Sequence, residues 1–183
     1  MSEAKYDVLG IGNAIVDILA QSDDAFLAAQ GMAKGGMALT MIGGSAVVDL
    51  DSPQVFGNIQ MHKDEVVKWL AELADDVHSH GAAVMIQLTH MGSRNHWNQA
   101  DWLPLIGSSS IQEPAHRAFP KAMEDWDYER VINAFADAAE RVKASGLDGF
   151  ELECATHLIA HSWSPATNKR TDEYGGSLDN RMR

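Results

Sequence analysis

The sequence predicts an α/β fold built on a parallel sheet. Two observations carry the prediction. An amphipathic helical stretch, a glycine and a continuous apolar run follow one another over 64–89, and the same order returns over 127–154. Apolar strands alternating with helices are the rhythm of βαβ units, whose parallel strands are covered on both faces.

The elements can be justified in order. "YDVLGIGNAIVDIL" (6–19) is rich in Val and Ile and reads as a buried strand with a glycine turn. "SDDAFLAAQG" (22–31) reads as a short helix, with Ser22 or Asp23 able to cap its start and Gly31 suited to its left-handed end. "GMALTMIGGSAVV" (36–48) reads as a second apolar strand ending in glycines. Over 64–80 Val66, Leu70, Leu73 and Val77 recur on one helical face, Asp64 and Glu65 suit the dipole at its start, and Gly81 ends it. "AAVMIQLT" (82–89) is the strand that follows. Residues 127–145 place Val131, Phe135, Ala138 and Val142 on one face, Gly146 ends that helix, and "LDGFELEC" (147–154) is the next strand. Between the two units, 90–126 holds Trp97, Trp102, Pro104, Pro114 and Pro120 and reads as a long functional loop.

Composition narrows the function classes. With 183 residues, 45% hydrophobic and 22% charged, the chain has the makings of one globular core. A formal net charge of −12 argues against nucleic acid and against anionic membranes as partners. No apolar run spans a bilayer, and "MSEAKYDVLG" lacks the basic-then-apolar order of a leader. The single cysteine, Cys154, forms no intrachain disulfide and reads as a buried structural thiol; a reducing cytoplasm fits.

Sites in parallel α/β folds form at the carboxyl ends of strands. Three such ends are visible: "GGSA" (43–46), where absent side chains let a flat ligand approach the backbone; "QLTHMGSRNHW" (87–97), with Gln87 and His90; and "ELECATHLIAHSWSP" (151–165), with Glu151, Glu153, His157 and His161. Gln87 can equally satisfy a loop backbone, and the histidines can be ordinary loop residues. No His pair encloses the Glu of a zinc helix, so no metal site is assigned. "GIGNAI" (10–15) has two of the three glycines of a dinucleotide fingerprint and is rejected as one.

"SPATNKRTDEYGGSLDNRMR" (164–183) closely resembles the signature of the old yellow enzyme family of FMN-dependent (β/α)8-barrel oxidoreductases, especially the branch of trimethylamine, dimethylamine and histamine dehydrogenases and 2,4-dienoyl-CoA reductase. "IQLTHMG" (86–92) resembles the family's third strand and "AKGGMALTMIGGSA" (33–46) its second. The resemblance implies a partial TIM barrel of about strands two to four over 33–183, FMN as cofactor, a small-molecule substrate, and NAD(P)H or another electron partner. It assigns Gln87 to the pyrimidine edge of the flavin, where a side-chain amide offers both a donor and an acceptor. It places the backbone of Gly44 near the flavin ring. His157 falls near the family's substrate-polarising pair, whose members donate to a carbonyl oxygen. That pair's positions appear here as Glu153 and Thr156, or as Thr156 and His157 after a one-residue shift, so His157 is assigned the electrophilic role and Glu153 an alternative polar contact. Ser93 stands where an arginine is common, and "RTDEYGG" is expected to lock its loop. The family's strands five to eight, which complete its flavin site, are expected to be missing from this chain.

The N-terminal stretch 6–39 resembles a different family, the ribokinase (PfkB) kinases of adenosine kinase type. There Asn13 and Asp17 match residues that contact sugar hydroxyls; as plain residues they are a turn Asn and a capping Asp. The two resemblances overlap in "MAKGGMALT" (32–40), which marks the expected crossover of a chimera, a foreign β-α segment joined to the partial barrel. An inactive truncated α/β chain, self-associating through exposed sheet edges, is the alternative expectation, and a sugar or nucleoside kinase fragment the second.

Overall fold

The structure is a computed structural model and describes residues 39–52, 57–94 and 103–183. The expected strand at 6–19, the helix at 22–31, Asn13, Asp17, Trp97 and Trp102 lie outside the described residues.

Three parallel strands form the main sheet, in the order β1 (Leu39–Val47), β2 (Ala83–Thr89) and β5 (Gly149–Leu152). Helix α1 (Val66–Ser79) crosses over between the first two and α2 (Asp125–Ala144) between the last two. Both helices cover one face of the sheet. Leu70 and Ala74 of α1, Ala138 and Val142 of α2, and Val84, Ile86 and Leu88 of β2 form the main core. As the central strand, β2 is buried along nearly its whole length on both faces, which is why its sequence is apolar without alternation.

Two expectations shift here. Leu73 is 40% exposed, and Ala74 takes the core position instead. At 100° per residue the buried stripe centres between Leu70 and Ala74, leaving Leu73 on its flank beside exposed Trp69. The strand at 36–48 does not end at its glycines. Ile42 pairs with Ile86 and Ala46 with Leu88, so Gly43, Gly44 and Ser45 stand against Gln87 alone, and β1 continues through this bulge to Val47.

The long connection after β2 contains a short parallel pair, β3 (Ile106–Gly107) and β4 (Lys121–Ala122). It leads into α2, where Asp127 is buried at the third helical position. Asp127 accepts the Glu124 N–H at 2.9 Å and a bond from Lys121 Nζ at 2.5 Å. A capping box and an ion pair thus offset the cost of burying this carboxylate. After β5, α3 (Leu158–Trp163) and α4 (Leu178–Arg181) close the described chain.

The "RTDEYGG" stretch is a lock, as its sequence suggests. Arg170 pairs with Asp172 and donates to the Met123 carbonyl at 2.5 Å, while Tyr128 and Tyr174 stack with centroids 4.1 Å apart. Asn168 donates from one amide to the carbonyls of Ser162 and Tyr174, each at 2.8 Å.

Candidate active site

The three strand ends singled out in the sequence meet at the carboxyl edge of the sheet. The β1 bulge supplies the first wall. Gly44 has φ of +82°, a conformation glycine adopts freely, and a Cβ built there meets nothing within 4 Å. The bulge is held from behind, where Asn58 Nδ2 donates to the Gly44 carbonyl. Bare backbone beside open space is the cradle a flat ring needs. Directly opposite, Gln87 is 5% exposed, and its amide lies 3.5 Å from Glu151 Oε1 at the outer limit of a hydrogen bond. A side-chain amide that offers both a donor and an acceptor thus stands beside an open stretch of backbone, the chemistry a flavin's pyrimidine edge would require.

The second wall joins β2, β5 and α3. His157 is the N-cap of α3 and is 8% exposed. Its Nδ1 lies 2.9 Å from Thr89 Oγ1 and 2.8 Å from Glu153 Oε2. The ring nitrogen aims at the threonine, and the carboxylate oxygen lies off that axis, so Glu153 acts on the ring chiefly by charge. Glu153 Oε1 accepts the Ala155 and Thr156 N–H groups, each at 3.1 Å, and the Thr156 hydroxyl at 3.2 Å. Burial alone would raise this carboxyl; contact with His157 and these loop donors outweigh it and hold it below the usual carboxylate range. Glu153 is 3% exposed and turned to the ring and the loop, whereas the sequence suggests an alternative polar contact with substrate. Thr156 is likewise committed to Glu153.

His90 is not in this wall. Its Nδ1 accepts the Gly92 N–H at 3.1 Å, which puts the proton on Nε2 to bond Asp51 Oδ1 at 2.7 Å. Burial pushes the Asp51 carboxyl up, but its bonds to His90 and Arg130 prevail and hold it at about 2. Asp49, Asp51 and His90 are close enough to share an ion. Arg130 already supplies the cation: it pairs with Asp49 and reaches Asp51 Oδ2 at 2.5 Å. The group therefore ties α2 to the strand ends.

His161, one turn beyond His157, contacts Ser93 Oγ at 3.0 Å through Nδ1, and burial lowers its proton affinity. Cys154 is half-buried, where the sequence suggests a buried thiol; burial, with Glu153 and Glu151 nearby, raises the thiol. Thr89 is the participant sequence reasoning missed. It stands two residues after Gln87 at the last position of β2, and alternation along that strand was the available signal. Among the described residues no helix is long and apolar enough to cross a membrane.

Comparison with known proteins identifies the family. Residues 20–183 match the NADH:flavin oxidoreductase / NADH oxidase family, a match that begins ahead of the expected crossover at 32–40. The chain is 57% identical over 151 residues to a probable N-methylproline demethylase of Rhizobium meliloti (strain 1021), covering 82% of this chain and 22% of that protein. It is 48% identical over 153 residues to the N,N-dimethylglycine/sarcosine dehydrogenase of Chromohalobacter salexigens, with the same coverage of 82% and 22%. The chain thus spans about a fifth of the length of these relatives. Morphinone reductase in complex with tetrahydroNAD shares the fold, with a TM-score of 0.74 at 22% identity over 78% of this chain and 44% of that one. The chain belongs to the NADH:flavin oxidoreductase / NADH oxidase family, the old yellow enzyme type of FMN-dependent oxidoreductase.

Proposed function

We propose that the chain carries part of the flavin and substrate site of an FMN-dependent oxidoreductase that oxidises small N-methylated amines. The observation that carries this reading is the Gly43–Gly44 bulge standing opposite Gln87 at the carboxyl edge of the sheet, within one strand end of His157. Gly44 would lie against the flavin ring, and Gln87 would bond its pyrimidine edge. FMN supplies hydride acceptance when bound. His157 would face the substrate, with Glu153 acting through it. The relatives named for N-methylproline demethylation and dimethylglycine/sarcosine dehydrogenation support an amine substrate over the enone or thioester alternatives of the family. NAD(P)H is the expected partner in the reductive direction.

The test is anaerobic. Protein loaded with FMN is mixed with N-methylproline, sarcosine or dimethylglycine, and the visible flavin absorbance is followed. Bleaching by an amine supports the reading; bleaching by NADPH alone would assign a reductase acting on other substrates.

One observation favours a second reading, an inactive hybrid. Among the described residues β1 and β5 each pair on one side only, and Leu39, Met41, Phe150 and Leu152 are exposed on them. In this reading residues 1–39 are a kinase-like segment joined within 32–40 to the partial barrel of 33–183, and the open edges self-associate. A monomer by light scattering would exclude that association.

A further inference from the structure

The contacts around His157 bear on which of its nitrogens carries the proton. Glu153 is an ionised carboxylate: three loop donors converge on Oε1, and Oε2 faces Nδ1 at 2.8 Å. A bare ring nitrogen and a carboxylate oxygen are both acceptors and repel at that distance. Nδ1 therefore holds a hydrogen, aimed at Thr89 Oγ1 at 2.9 Å with the carboxylate charge beside it. A neutral ring protonated on Nδ1 carries a lone pair on Nε2. No hydrogen-bonding partner for Nε2 is found among the described residues. In that state the ring has no Nε2 hydrogen to donate, so it would not serve the electrophilic role that the resemblance assigns.

We propose that His157 is a proton acceptor, locked by Thr89 and Glu153 with its Nε2 lone pair presented to the site, and that it takes a proton from the ammonium group of an amine substrate. This rests on the amine reading above. In the step, one N–H bond of the ammonium breaks and its electron pair stays on nitrogen. The proton passes to Nε2, and nothing is oxidised or reduced. The freed pair is what an amine needs before its α C–H can leave as hydride, because that pair becomes the π bond of the iminium product. Glu153 balances the charge the ring acquires, in the manner of a carboxylate behind a catalytic histidine. Thr89 and Glu153 are positioning residues. The titratable groups facing the ring are Glu153 from the end of β5 and His161 from the next turn of α3; from β2 the neighbour is the uncharged Thr89. The ring's backbone is set by the Leu158 N–H, which donates to the His90 carbonyl at 3.1 Å.

The first test needs neither substrate nor flavin. Long-range proton–nitrogen spectra of the full chain, labelled at its histidine rings, report each tautomer, and His157→Asn identifies the signal. The expected result is the Nδ1–H form for His157, with a shift toward Nε2–H in Glu153→Gln, whose amide can donate to Nδ1. An Nε2–H form in the unaltered protein overturns the proposal. The second test compares amine oxidation in the unaltered protein and His157→Gln across pH. A base contributes about 100-fold or more. That deficit should narrow as pH rises past the amine's own pKa, where substrate arrives already neutral. An equal deficit at every pH overturns the proposal. If no amine is oxidised by the unaltered protein, the amine reading falls, while the tautomer still decides whether His157 is an acceptor.

Discussion

His90 and Asp51 meet in a buried hydrogen bond of 2.7 Å, with Nε2–H donating to Oδ1. The same carboxylate receives Arg130 from α2. One acidic side chain thus joins the loop after β1, the end of β2 and a helix more than seventy residues away.

This carboxylate makes stability depend on pH at the acid end. Its folded value of about 2 lies below the ordinary 3.8, so its contribution is fully present above pH 3.8 and is lost as pH falls toward 2. Linkage puts that contribution at about 2 kcal/mol. Urea unfolding of Asp51→Asn should lack this share of the acid sensitivity and should show a loss of about 2 kcal/mol at neutral pH. Parallel acid profiles for the two proteins would remove Asp51 from the account.

Gly92 tests how closely the β2 loop packs on α3. It has φ of +59°, and a Cβ there would lie 3.1 Å from both Cα and Cβ of Leu158, the residue after His157. Gly81 has φ of +78° with nothing within 4 Å. Gly81→Ala should cost about 1 kcal/mol from backbone strain alone. Gly92→Ala should cost about 2 kcal/mol or more, because α3 must also move. Thermal unfolding of the pair reads the difference, and equal shifts would mean that the contact with Leu158 does not hold α3.

Cys154 should behave as a structural thiol. Burial and two neighbouring carboxylates raise it, which reduces its thiolate fraction near neutral pH. A disulfide reagent at pH 8 should label it more slowly in the native protein than in urea, and Cys154→Ala should leave flavin affinity unchanged. Native labelling as fast as in urea would contradict this environment.

The βαβ framework was legible because its signals are local and repeated. Helical periodicity and terminal glycines marked α1 and α2, and an unbroken apolar run marked β2. The exchange of Leu73 for Ala74 was hidden because two adjacent faces of α1 carry apolar residues, and packing against the sheet chooses between them. The bulge at Gly43–Ser45 depends on register with Gln87, which one strand's sequence does not contain. Glu153 and His157 were singled out at a strand's carboxyl end, and the resemblance supplied their roles. Their division of labour, with Thr89 as a third member, follows from a juxtaposition of β2, β5 and α3 that no single motif encodes.

The most direct test of the account is flavin binding at the bulge. The full chain is mixed with FMN, desalted and examined for visible flavin absorbance, beside Gln87→Leu treated in the same way. The account predicts a coloured unaltered protein and about tenfold weaker binding in the variant, the cost of about one hydrogen bond at a desolvated amide. A colourless unaltered protein, or equal affinity in the two, would contradict it.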